Sequence, residues 1–288
     1  MDSMDETAVL QAFAEKQSNK KMKSDDLNDF SITNWYDTFK AITIKTVLVP
    51  IPSSVIEMFN AEEVDWNIEE RCPPEFKNVL KDILRTFRSP GAFIKSNWHA
   101  PMDAQMLSFD KTMSVNNIPD LFLFLNGSSI IGQDFSHKDF KDYCLALRQW
   151  TDINPAYEFR CIVINNILRG ITPRDWPSYF PHYAKEGDDI IDKISNFFKD
   201  KLQGKFIRSN YVFDVYMKHP DTIVLVDFSA LNTKTCLHAF EWDEVLPIIK
   251  KNSQEPVAPV FRYLDTEIGM MGKAETQLQL MRSKYRLN

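Results

Sequence analysis

Two aspartates interrupt one apolar hairpin late in the chain. Asp214 splits Tyr211-Val212-Phe213 from Val215-Tyr216, and Asp227 splits Ile223-Val224-Leu225-Val226 from Phe228. In an antiparallel pair the numbers of opposed residues share a constant sum, so a turn centred between Pro220 and Asp221 makes Asp214 and Asp227 partners. Their β-carbons then lie roughly 4.5–5.5 Å apart on one face of the ribbon. Carboxylates so close repel, and apolar neighbours raise the cost. A divalent cation between them removes both penalties, and magnesium, a hard ion that takes oxygen ligands and shares them with phosphates, suits the place. Ser229, two residues on, faces the same way and offers a third, weaker oxygen. A solvent-facing polar stripe on an edge hairpin has the same spacing, so the pattern alone leaves both readings open.

Positive groups sit in two further clusters. Phe93-Ile94-Lys95-Ser96-Asn97-Trp98 places a lysine in an apolar strand, with Pro101 and Asp103 following. Lys95 either meets phosphate or snorkels from a sheet edge. Arg148, Arg160 and Arg174 lie in or just after consecutive strands, read here as one middle sheet, and Glu158 and Arg160 alternate with Ile162 on one face. Arg160 either clamps a phosphate in bidentate fashion or pairs with Glu158. The five histidines are scattered and no G-x-S-x-G occurs, so a hydrolytic triad has no support.

These residues need elements to hold them. Thr43 to Val49 alternates and is β-branched, a strand that Pro50 and Pro52 end. Ser53 to Phe59 reads as a short helix. After Pro73-Pro74, the spacing of Phe76, Val79, Leu80, Ile83, Leu84 and Phe87 predicts a helix with one buried stripe. Ala92 to Ser96, Tyr143 to Trp150, Tyr157 to Ile164 and Ile167 to Thr172 read as strands, the last two joined by an Asn165-Asn166 turn of the type that needs positive φ. A second helix is expected over about Asp188 to Leu202, and another begins near Glu241 to Val245. Hairpins alternating with single helices predict an α+β fold on antiparallel sheet.

Composition narrows the function classes. The chain has 288 residues and a net charge of −6, which supplies no general field for a nucleic-acid backbone. With only 8 glycines it contains neither G-x-G-x-x-G nor a P-loop. The longest uncharged run, Leu121 to Gln133, is too short and too polar to span a membrane. Cys72, Cys144, Cys161 and Cys236 form no C-x-x-C, which argues against structural zinc and for a reduced, soluble, intracellular protein. Residues 1 to 30 read as a mobile polar tail.

Several of these motifs together resemble the cell division cycle 123 family: Phe93 to Ala104, Leu147-Arg148-Gln149-Trp150, Glu158-Phe159-Arg160-Cys161, Arg174-Asp175, Phe213-Asp214-Val215-Tyr216 and Val226-Asp227-Phe228. With Trp35-Tyr36 and Ile44-Lys45, the resemblance runs from about residue 30 to about residue 265. It implies an α+β, ATP-grasp-like domain over 31–288, with lobes at about 31–140 and 141–270 whose antiparallel sheets flank a nucleotide cleft. It implies ATP and magnesium as ligands. Lys95 would hold the inner phosphates, with Asn97, Arg148 and Arg160 lining the nucleotide. The strand at Ala146 and Leu147 would offer backbone groups to the adenine edge, and Asp214, Asp227 and Ser229 would bind the metal. Family members carry Asn-Pro after the second metal aspartate, where this chain has Ser229-Ala230.

The function so implied is that of a cytoplasmic, monomeric assembly chaperone for eukaryotic translation initiation factor two. It would bind the gamma subunit and neither membrane nor nucleic acid. Two alternatives stand beside it: a protein-binding module that no longer holds nucleotide, and an ATP-dependent carboxylate–amine ligase.

Overall fold

The computed structural model describes residues 27–60, 67–108, 112–137, 140–218, 221–251, 255, 257–269 and 272–278. Of the expected polar tail, all but residues 27–30 lies outside the described residues. The described residues divide into two compact units, Phe30–Asp152 and those from Ile153 onward, the latter joined by residues 27–29. The division falls at Asp152 and not near residue 140 because the strand after it belongs to the first unit's sheet.

In the first unit, β1 (Thr46–Pro50), β2 (Ala92–Lys95), β3 (Ser114–Val115) and β4 (Cys144–Gln149) form an antiparallel sheet in the order β1-β4-β2-β3. Its helices are α1 (Ile32–Phe39), α2 (Ser53–Phe59), α3 (Ile68–Arg71), α4 (Pro74–Thr86), α5 (Ile118–Gly127) and α6 (Ser129–Phe135). Helix α4 buries Phe76, Leu80 and Leu84 as its spacing predicts, while Val79, at the margin of the stripe, is 47% exposed. Helices α5 and α6 coincide with the long uncharged run. Asn117 caps α5 by accepting from the Asp120 amide at 2.8 Å. Ser128 caps α6, helped by Asp103, whose carboxylate accepts from the Ser129 amide at 2.8 Å and the Ser129 hydroxyl at 2.7 Å. Burial opposes the charge of Asp103, but these hydrogen bonds win and hold its carboxyl below the ordinary value. The acid that follows the lysine strand is thus a helix cap.

In the second unit, β5 (Glu158–Ile164), β6 (Ile167–Pro173), β7 (Tyr211–Lys218), β8 (Thr222–Ala230) and β9 (Val260–Phe261) make a sheet in the order β8-β7-β5-β6-β9. Only β9 runs parallel to its neighbour. Asn165 and Asn166 both take positive φ, 56° and 59°, as a two-residue turn of this kind requires. Helix α7 (Tyr183–Phe197) continues into a π turn, Phe198–Leu202, and covers one face of the sheet. There Phe198 stacks on Phe213, with centroids 6.0 Å apart, and Phe206 stacks on Phe228 at 4.2 Å. The opposite face is apolar at one end, where Ile162, Ile164 and Val212 pack with Leu237 of the preceding loop and with Val245 of helix α8 (Trp242–Lys251). Gly170 belongs to this layer: a β-carbon there would stand 2.7 Å from the Phe240 ring, so only glycine admits the ring.

Candidate functional site

The first unit supplies two cations on one face of its sheet. Lys95 pairs with Ala146 and Phe93 pairs with Arg148, so the lysine and the arginine occupy adjacent rows on the same side. Diagonal positions of this kind have roughly 7–8 Å between them, within reach of one polyanion for side chains so long. Lys95 is 1% exposed and Arg148 2%, which disposes of the snorkelling alternative. Arg148 is aimed by two hydroxyls: its Nε donates to Thr46 Oγ1 at 3.3 Å and its Nη2 to Thr43 Oγ1 at 3.2 Å. Sequence reading missed both threonines, whose role appears only once β1 lies beside β4.

Asn97 and the β4 backbone do other work. The Asn97 amide donates to Ser31 Oγ at 2.9 Å and to the Asp142 carbonyl at 3.1 Å, and its oxygen accepts from the Cys144 amide at 2.8 Å. Both of its donors are therefore spent inside this unit, and the residue is fully buried. Ala146 and Leu147 each have partners on both sides, in β1 and in β2. Their backbone groups are committed to the ladder, which corrects the expectation that they face an adenine edge. Ala146 instead contributes a small side chain on the face of Lys95, and Leu147 points to the other face.

The second unit carries a charged row. Thr172 of β6 pairs with Arg160 of β5, Arg160 with Asp214 of β7, and Asp214 with Asp227 of β8. The two aspartates are thus directly opposed, as the hairpin arithmetic predicts. The turn side of the ribbon is one residue out of that register, because Val215 pairs with Leu225, and the slip between Asp214 and Val215 leaves Val226 as a bulge. The turn tip at 219–220 lies outside the described residues. Arg148 is not part of this sheet: β4 belongs to the other unit, so the three arginines do not share one middle sheet.

Arg160 pairs with Asp214 across the strands and not with Glu158 along its own. Its Nε reaches Asp214 Oδ1 at 2.9 Å and its Nη2 reaches Oδ2 at 2.8 Å, while Nη1 donates to the Cys236 carbonyl at 2.6 Å. Arg174 Nε stands 3.2 Å from the same Oδ2. Burial opposes the charge on Asp214, yet the two guanidinium groups hold its carboxyl well below the usual carboxylate range. Glu158, one row away, is shifted the other way: burial raises its pKa, Asp214 adds to the rise, and the arginines only partly offset it.

His238 completes the cluster and gave no signal in the sequence. It holds a positive φ of 56°, and burial together with Arg160 and Arg174 pushes its pKa well below the ordinary value. Its Nε2 lies 3.1 Å from Arg174 Nη1, which can only donate. The proton of the neutral ring therefore sits on Nδ1, 3.7 Å from Cys236 Sγ.

The donor set fits magnesium. Asp214 is ionised, and its Oδ1 spends one lone pair on Arg160 and keeps another. Asp227 lies opposite, and Ser229 follows on the same face, paired with Val212. These are hard oxygen donors, the kind magnesium takes alongside water and phosphate. Among the described residues no group of three or more His, Cys, Asp or Glu is arranged to hold a metal unaided. None of the described helices is long and apolar enough to cross a membrane.

Fold and charged rows together define an α+β protein of two antiparallel-sheet units, one bearing buried cations and the other a cross-strand carboxylate pair. A profile of the D123 family matches residues 61–284, and the chain belongs to that family. It is 28% identical over 291 residues to the translation initiation factor eIF2 assembly protein of Xenopus tropicalis, covering 86% of this chain and 87% of that protein. Against the protein of the same description from Dictyostelium discoideum the identity is 31% over 225 residues, 68% of this chain and 59% of that one. The structure of Cdc123 from Schizosaccharomyces pombe superposes with a TM-score of 0.74 at 23% identity, over 84% of this chain and 98% of that one, so the two share a fold.

Proposed function

We propose that this chain is an ATP-binding assembly factor for translation initiation factor eIF2, acting in the cytoplasm as a monomer on the gamma subunit. The assembly role is supported by relatives that carry that description over most of both chains. The nucleotide role is supported by the charged rows and by the ATP-grasp-like architecture that the family resemblance implies. Lys95 and Arg148 take the phosphates, and Asp214, Asp227 and Ser229 take magnesium. When bound, the metal would neutralise phosphate charge; Arg160 and Arg174 keep Asp214 ionised and oriented, and the Thr43 and Thr46 hydroxyls aim Arg148. The observation that carries the reading is the direct pairing of Asp214 with Asp227.

One observation favours a second reading, a protein-binding module without nucleotide. Both oxygens of Asp214 already accept from Arg160, which neutralises the carboxylate without a metal. Calorimetric titration of the full chain with magnesium and ATP separates the two. A saturable heat supports the first reading, and its absence, with capture of the gamma subunit intact, supports the second. Failure to retain the gamma subunit under either condition would remove the assembly role.

A further inference from the structure

Helix α4 turns Phe76, Leu80 and Leu84 inward, which sets Lys77, Lys81 and Arg85 four residues apart along another side. These three cations line a cavity of about 440 Å³ in the first unit, floored by Leu84, Ile118 and Pro119, with Glu69 the one acid on its wall. In a chain with a net charge of −6, such a convergence of cations on a concave surface stands apart. Lys77 Nζ is fixed by the Glu69 carbonyl at 2.9 Å, and Arg85 meets Asp82 at the exposed rim at 3.0 Å. The first turn of α5, which carries Asp120 and is capped by Asn117, forms the opposite side of the cavity.

We propose that this pocket docks an extended, acidic segment of a partner polypeptide, in which acids alternate with apolar residues. Cations four residues apart on a helix are spaced by about 6 Å along its axis. Alternate residues of an extended strand are about 6.8 Å apart. Three acids at alternate positions therefore meet Lys77, Lys81 and Arg85 in register. The intervening apolar residues point away from α4, toward the wall that Ile118 and Pro119 of α5 supply. Single-stranded nucleic acid fits less well: no lining residue is aromatic, so no base can stack. The site is built from residues other than those of the nucleotide reading and stands without it.

The test is fluorescence anisotropy on the full chain with a labelled decapeptide of alternating Glu and Val, and a twin with Gln for Glu. The acidic peptide should bind and the twin should not, with affinity falling as salt rises. Lys81→Glu removes one attraction and adds one repulsion, so affinity should drop about tenfold, and Lys81→Gln should lose about half as much on a logarithmic scale. Both changes lie on an exposed helix position, so melting temperature and ATP affinity should stay at wild-type values. Equal binding of the two peptides would overturn the proposal, as would indifference to both Lys81 variants. So would displacement of the peptide by a single-stranded oligonucleotide at lower concentration than by unlabelled peptide.

Discussion

Replacing Asp214 with Asn keeps the shape of the side chain and removes its charge from beneath two arginines. Arg160 is only 7% exposed at the side chain, and its Nε and Nη2 both donate to this carboxylate. In the variant one amide oxygen accepts, but the amide nitrogen faces a guanidinium N–H, donor against donor. Breaking a buried pair from one side costs about 3–5 kcal/mol, because the surviving charge is stranded. At roughly 2–4 °C per kcal/mol, the second unit should melt on the order of 10 °C lower. Adding Arg160→Met to Asp214→Asn removes the stranded cation and should recover most of the loss. The lost bond to the Cys236 carbonyl keeps about 1 kcal/mol unrecovered. The pH dependence has a fixed sign. A carboxyl whose folded pKa is depressed stabilises above its unfolded value of 3.8, and that contribution fades only as pH falls further. The wild type should therefore exceed the variant by a constant margin from about pH 8 to 5, and the margin should shrink below about pH 4. Calorimetric melting in magnesium-free buffer reads all three. A single variant within about 1 kcal/mol of wild type, or a double variant no better than the single, would refute the account of the charged row.

Other outcomes follow from the same geometry. Lys95→Met should weaken ATP binding about 10- to 100-fold, the worth of a charged hydrogen bond; an unchanged affinity would place the phosphates elsewhere. Asn97→Ala strands the Cys144 amide and should cost about 2–4 kcal/mol of stability by denaturant titration, with folded-state ATP affinity preserved. Ser229→Asn replaces a hydroxyl with a stronger amide oxygen and should tighten magnesium-dependent ATP binding about fivefold, near 1 kcal/mol, whereas no change would put Ser229 outside the metal shell.

Local chemistry was legible in the sequence, and long-range placement was not. The Asn165-Asn166 turn and helix α2 appear where residue type and spacing put them, because each is decided within a few neighbours. The aspartate pairing was foreseen from a turn that sets the wrong register near the tip, and the bulge at Val226 restores it at the aspartates. Alternation cannot report a bulge, since the extra residue has no signature of its own. Strand β4 was recognised as a strand but assigned to the wrong sheet, because periodicity gives the face of a strand and not its neighbour. Helices α5 and α6 were hidden: Leu121, Phe122, Phe124 and Leu125 are all buried, so α5 lacks the polar side that would reveal a 3.6-residue period. The partner of Arg160 is 54 residues away, and that of His238 is 64 residues away. Only the assembled sheet brings such groups together.

The account rests most directly on the carboxylate pair, and one titration examines it. ATP added to the full chain with magnesium should give a saturable heat that weakens at least about tenfold in Asp227→Ala, with melting temperature nearly unchanged because Asp227 is only half-buried. Heat of equal size and affinity in wild type and variant, or none in the wild type, would contradict it.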